Sequence, residues 1–402
     1  MAKQIYIAAL LLVGTSVFAE TGEIATCDTK KQKCQHCEPK RAYFCWPLDK
    51  SWVSFNAWSN FLYWQPLEDN LEPAGINKSL ISLGFQGKNA ASVINMDFDY
   101  KPGFQLGFGA NLDHGEVDVS GEYTWFCANQ HLRKSGNQFY PMQLDPGTLV
   151  AFLNGITNAA GGLGTAGIPA APLSFVQTWK LKMNLADLDL GSWRTRGKVL
   201  EAHPFIGLRA AWIDQFIDAA FTGNLLANGA ILGHTGASVS THSWAIGPRG
   251  GINTNWKIGK GFKFYWDAAG DLLYTNYEWH GQSVAFVPTF GDSLVGPVNW
   301  ESNVTQTSIT TLRTHFDIDL GFRWGVCTCD RTFRFELSAG YQFQVFFDQN
   351  MFRHFTTMIE EVGTVNGSAL TELIGVVTTP VSSDPNGNLY IQGLKVGAEF
   401  AF

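Results

Sequence analysis

The feature that most constrains this chain is a two-sided hairpin between Thr311 and Phe347. On its first arm Leu312, Thr314, Phe316, Ile318, Leu320, Phe322, Trp324 and Val326 fall on one parity. Arg313, His315, Asp317, Asp319, Gly321, Arg323 and Gly325 fall on the other. After the short turn Cys327-Thr328-Cys329-Asp330 the pattern resumes with opposite numbering. Phe333, Phe335, Leu337, Ala339, Tyr341, Phe343, Val345 and Phe347 then oppose Thr332, Arg334, Glu336, Ser338, Gly340, Gln342 and Gln344. Side chains alternate across a strand, so each arm has one apolar face and one face of charge and glycine. Strands of soluble sheets usually run about 5–6 residues, and these arms run roughly three times that. A wall between hydrocarbon and water is the environment that suits both faces.

The whole chain agrees. Among its 402 residues 16% are charged, 14% are aromatic and 42 are glycine. No stretch reaches the roughly 18 consecutive apolar residues of a membrane helix. A formal charge of -7 argues against a nucleic-acid partner, which calls for a basic face. Residues 1–19 have the layout of an export signal: Lys3, an apolar run from Ile5 to Val13, then Val17-Phe18-Ala19 as a small-x-small cut site. The expected organisation is a signal peptide over 1–19, a cysteine-containing periplasmic segment over 20–50 and a transmembrane β-barrel over 51–402.

The barrel expectation rests on how the strands are joined. Two-faced segments are expected at Ser51–Trp64, Ile94–Leu112 with a bend at Pro102-Gly103, Val117–Trp125, Trp179–Leu190 and Val199–Asp214. Further segments follow at Ser240–Ile258, Phe262–Tyr277, the two arms of the organising hairpin, and Leu389–Phe402. Connections alternate: short turns near 114, 195, 260 and 328, and loops of about twenty or more near 78, 150, 226, 293 and 368. Outer-membrane barrels have short periplasmic turns and long external loops. The fold class is therefore all-β, a transmembrane antiparallel barrel of at least 10 strands, with 10–16 allowed if the long loops hide more.

This topology sorts the side chains. The inward face offers Asp97, Asp99, Glu116, Asp118, Glu122, Glu201, Asp267, Asp271, Asp317, Asp319 and Glu336 against Lys180, Lys182, Arg209, Lys263, Arg313, Arg323 and Arg334. These are the expected pore-lining groups, some of them braced as internal salt bridges, and the modest excess of acid predicts a weak cation preference. Among the cysteines, Cys34-Gln35-His36-Cys37 has the spacing of a zinc knuckle. An exported chain favours disulfides instead. Cys27, Cys34, Cys37, Cys45, Cys327 and Cys329 are the candidates, all on the periplasmic side, and Cys127 is left odd. His234, His242, His280 and His354 lie near loops, but no spacing among them matches a catalytic set. No enzyme, cofactor or metal site is expected.

Two resemblances add to this reading. The C-terminal Lys395-Val396-Gly397-Ala398-Glu399-Phe400-Ala401-Phe402 resembles the recognition signal of bacterial outer-membrane barrels, which implies handover to the barrel-assembly machinery through Gly397, Phe400 and Phe402. The block Asp97–Gly109, with Glu122-Tyr123-Thr124-Trp125-Phe126 and Ile246-Gly247-Pro248-Arg249-Gly250-Gly251, resembles the pore-forming major outer-membrane proteins of Legionella-type and chlamydia-like bacteria. The cysteines before Trp46 lean toward the chlamydia-like branch. The resemblance implies a bacterial outer-membrane porin for small hydrophilic solutes and ions that also serves the envelope structurally. Its partners would be membrane lipid and disulfide-linked envelope proteins or further copies of the chain. A hydrophobic-solute transporter and an adhesin are the alternatives.

Overall fold

Alternation of apolar and polar residues builds a wall, and the wall closes on itself. The structure, a computed structural model, describes residues 53–69, 71, 74–77, 91–112, 117–137, 139–141, 172–192, 194–196, 199–224, 231–287, 298–327, 333–350, 354–359, 378–383 and 387–402. All regular structure among them is β-strand. In chain order the strands are β1 (Val53–Glu68), β2 (Ala74–Asn77), β3 (Ala91–Ile94), β4 (Lys101–Leu112), β5 (Val117–Asn137), β6 (Phe139–Pro141), β7 (Pro172–Gly191) and β8 (Arg194–Arg196). They continue as β9 (Leu200–Asn224), β10 (Ile231–Gly259), β11 (Phe262–Val287), β12 (Val298–Cys327), β13 (Arg334–Asn350), β14 (His354–Ile359), β15 (Thr378–Ser383) and β16 (Gly387–Ala401).

Ten of these form a closed antiparallel barrel in the order β1-β4-β5-β7-β9-β10-β11-β12-β13-β16. The short β8 pairs with the start of β9. The seam between first and last strands is fully paired, from Asn56 opposite Ala401 to Glu68 opposite Leu389. Phe55 and Phe402 extend it with two backbone hydrogen bonds of 2.8 Å. In hydrocarbon an unpaired backbone amide costs several kcal/mol, so closure is what lets a sheet cross a membrane. Between β10 and β11 the chain turns within Gly259-Lys260-Gly261, at φ of 142°, 52° and 86°. Glycine carries the positive values on either side of Lys260 at no steric cost.

The outward face is apolar as the parity demands. Leu312, Phe316 and Phe322 on β12, and Phe335, Leu337 and Tyr341 on β13, are all exposed. Aromatic side chains gather at both margins of this band. Tyr63, Tyr123, Trp212, Trp244 and Tyr274 mark one margin, and Phe55, Phe262, Phe333, Phe400 and Phe402 mark the other, where the chain ends. Such paired girdles are a property of outer-membrane barrels.

Several boundaries differ from the sequence expectation. Ile94–Leu112 is not one bent strand: residues 95–100 are irregular between β3 and β4, and Met96 and Phe98 turn inward, with the Phe98 ring edge-on to Trp179 at 5.3 Å. The loops expected near 226 and 293 are mostly strand, because β9 to β12 run on for 25, 29, 26 and 30 residues. Ser283–Val287 extends β11 and adds no strand to the barrel. On the seam side β1, β13 and β16 have only 16, 17 and 15 residues. The wall is therefore much taller along β9–β12 than at the seam. The signal peptide, the segment 20–50 and the connection around Ala159–Ala171 lie outside the described residues.

Ile206 is 68% exposed on the outward face of β9. A cation at the middle of a lipid-facing strand costs about 2–4 kcal/mol. Ile206→Arg should lower the barrel's unfolding free energy in lipid by that amount, measured by denaturant titration of tryptophan emission.

Candidate functional site: the barrel lumen

The inward faces divide the lumen into two halves of different chemistry. The half nearer the chain's end holds charge. Lys263 donates to Glu336 at 3.2 Å, Arg323 to Asp267 at 2.6 Å and to Asn255 at 3.1 Å, and Arg334 to Glu399. Lys257 meets Glu201 at 2.6 Å. A ring nitrogen of His203 lies 2.7 Å from Asp118. Higher up, Asp319 accepts from Tyr265 at 2.9 Å and meets Lys395 at 3.1 Å, while Gln342 donates to Asp317. Glu122 accepts from the Trp58 indole at 2.7 Å and from Gln105 at 2.5 Å. Gly107 makes that arrangement possible, since a Cβ there would stand 2.0 Å from the Trp58 ring. These groups line a cavity of about 250 Å³ whose wall carries nine carboxylates against five lysines and arginines.

Two arginines close the top of this cavity. Arg209 binds both oxygens of Asp187, at 2.6 and 2.5 Å, and reaches Asp271 at 2.9 Å. His315 completes the group beside Asp271 and Arg209. Arg249 lies within 3.5–3.9 Å of Asp187, Asp189, Asp271 and Asp317 and over the ring of Phe205. Arginine suits this post because its planar fork binds carboxylates two at a time.

Beyond them the lumen turns apolar. Leu62, Trp64, Phe126, Phe175, Trp179, Leu181, Met183, Leu185, Ile213, Ile217, Leu273, Phe346 and Ile391 pack together, each 5% exposed or less. Within this half a few polar atoms are stranded. Neither oxygen of Glu68, neither amide atom of Gln177 or Gln215, and none of the indole nitrogens of Trp64, Trp179 and Trp279 has a well-formed hydrogen bond among the described residues. Gln215 and Trp179 are the groups that face the Glu68 carboxylate. Stranded polar atoms of this kind are normally satisfied by water or a solute.

The structure brings most of the expected lining groups together. Asp118, Glu122, Lys263, Asp267, Asp317, Asp319, Arg323, Arg334 and Glu336 all border the one cavity. Arg313 faces inward at the opposite end, paired with Asp348 at 3.2 Å. Asp97 and Asp99 do not line the lumen: they lie exposed in the irregular segment ahead of β4, where Asp99 sits 3.9 Å from Lys101. Lys180 and Lys182 point outward, because the apolar residues alternating with them, Leu181, Met183 and Leu185, face the packed interior. Glu116 lies outside the described residues, as do Cys27, Cys34, Cys37, Cys45 and Cys329. Cys327 ends β12 at the rim where the expected periplasmic turns lie, and Cys127 is an exposed free thiol. Phe400 and Phe402 sit exposed on the lower aromatic margin, and Gly397 faces the Asn60 amide. Arg249, Lys395 and Tyr265 were missed by sequence reasoning, although the inward parity of β10, β11 and β16 includes all three.

The family of the Legionella pneumophila major outer membrane protein precursor matches residues 51–402. The chain belongs to that family. It is an outer-membrane protein. No curated protein matches. Among solved structures, the outer membrane protease OmpT of Escherichia coli is similar at 8% identity, with 88% of this chain and 99% of that one covered and a TM-score of 0.33. A major outer membrane protein of Thermus thermophilus gives 12% identity, 87% and 99% coverage and a TM-score of 0.24. A Pseudomonas aeruginosa FadL homologue gives 6%, 88%, 91% and 0.26. At such TM-scores none of the three bears on what this chain does.

Removing one partner of a buried ion pair leaves an uncompensated charge and costs about 3–5 kcal/mol. Arg209→Ala leaves Asp187 and Asp271 with only the longer contacts to Arg249 and the His315 ring and should cost up to that range. Urea unfolding of the refolded barrel, followed by tryptophan emission, measures it.

Proposed function

We propose that this outer-membrane protein is a low-conductance channel for small ions and polar solutes, held shut by its own side chains in this conformation. The carrying observation is the polar cavity inside a ten-stranded wall, lined by charge of both signs and stopped at its upper end by the Arg209 and Arg249 clusters and the apolar half. Open water channels are typical of sixteen to eighteen strands, so a ten-stranded barrel of this kind is not a wide general porin. The stranded polar atoms around Glu68 and Gln215 supply stations for water or an ion through the apolar half. Passage then requires side-chain rearrangement but no change in the wall. The excess of carboxylates in the cavity favours cations. The reading assigns no catalytic role to the His203–Asp118 and His315–Asp271 pairs, which are built into the wall's bracing. Disulfides of the periplasmic cysteines, within the chain or to other envelope proteins, belong to the same reading as a structural role.

Reconstituted in planar lipid bilayers, the protein should show small, infrequent conductance steps, and a salt gradient should give a reversal potential of the cation-selective sign. Trp179→Ala combined with Phe346→Ala should raise the conductance several-fold. If neither protein conducts, the channel reading falls, and an anion-selective sign overturns the preference. The apolar lining of the outer half favours a second reading, passage of an apolar solute. Uptake of benzene against arabinose into proteoliposomes separates the two.

A further inference from the structure

We propose that the outer face of β5 and β7, just above the aromatic margin, is a docking surface for a phosphate-bearing lipid headgroup of the outer leaflet. The proposal rests on the fold and the membrane location and is independent of whether the lumen conducts.

The margin is well defined here. Asn184 on β7 lies opposite Trp125 on β5 and Trp212 on β9, and the Tyr123 hydroxyl donates to the Asn184 side chain at 2.7 Å. Tyr and Trp settle at the level where hydrocarbon meets headgroups. The next outward positions on β7 are Lys182 and Lys180, each step of two residues rising by roughly 7 Å along the strand. Lys182 lies opposite Cys127 and Lys180 opposite Asn129, and Arg133 follows on the same face of β5, all of them exposed. Two contacts steady the surface: His131 and Thr178 meet at 3.0 Å, and the Lys180 ammonium sits 5.5 Å from the Phe216 ring.

The cations of the lumen named above are all paired with carboxylates. Among the described residues Lys180, Lys182 and Arg133 are placed in no ion pair. The nearest acid in register with Lys182 is Asp214, which is bonded to His242 at 3.1 Å instead. Asp218, opposite Thr178, is the other outward acid on β9 at this level, and Glu278 lies farther round the wall on β11, opposite His242. Three outward cations, Lys180, Lys182 and Arg133, against Asp214 and Asp218 on the neighbouring β9 make a locally positive patch on a chain whose formal charge is -7. Its chemistry and depth match phosphate groups held at a membrane surface.

The test uses the full folded chain in detergent and native mass spectrometry. The probes are a bis-phosphorylated, acylated glucosamine disaccharide, its dephosphorylated form, and inorganic phosphate. The phosphorylated lipid should bind, the dephosphorylated form should bind at least tenfold more weakly, and millimolar inorganic phosphate should not displace the lipid. The triple variant K180Q/K182Q/R133Q should weaken the phosphorylated lipid by on the order of a hundredfold, at roughly fivefold per cation. D214N/D218N should tighten it, and K260Q at the opposite rim should leave it unchanged. Heat-shifted gel mobility verifies folding, and if the triple variant fails to fold, K182Q alone should show the fivefold loss. Equal binding by both lipids, an unchanged triple variant, or displacement by inorganic phosphate overturns the proposal.

Discussion

Backbone pairing is the interaction on which everything else depends. Water is absent from the hydrocarbon layer, so each amide of a crossing strand must find its partner in the next strand, and a sheet satisfies that only by closing. The β1–β16 seam does this with unbroken register over its length. Once the wall is closed, parity has no freedom left: one side of every strand meets lipid and the other meets whatever the barrel encloses. Exposed Phe322, Ile206 and Leu394 and enclosed Asp319, Arg209 and Gln342 are two outcomes of one constraint.

What a ten-stranded barrel encloses is too narrow to stay empty, and the chain fills it in two ways. Where charge enters, it comes in opposite-signed sets, since an isolated buried ion is far more costly than a paired one. Arg209 and Arg249 each engage more than one carboxylate and so tie together β7, β9, β10, β11 and β12. Farther out, large apolar side chains pack as they would in a soluble core. The boundary between these regimes lies at the level of Arg209 and His315.

Much of the architecture was legible in the residues. Strand parity in β4, β10, β12 and β13, the location of the short turns and the membrane setting all follow from alternation, because lipid accepts only one kind of side chain. The interior imposes no such rule, and the misreadings lie there. On β7 the inward Leu181, Met183 and Leu185 look like lipid contacts, which placed Lys180 and Lys182 on the wrong side. Met96 and Phe98 were misplaced for the same reason. Binary pattern distinguishes faces only while the two faces differ in polarity. The ion-pair partners were not legible either, since Arg209 and Asp271 come from strands whose adjacency is fixed by barrel order and not by nearness in sequence.

The unequal strand lengths give the molecule a front and a back. Beyond the outer aromatic margin β10 continues from Trp244 to Ile231, on the order of 40 Å of extended chain, while β1 stops soon after Tyr63. Among the described barrel strands the wall is thus a high collar on the β9–β12 flank and a low sill at the seam, and a solute or ligand meeting the high flank from outside meets sheet before it meets the mouth.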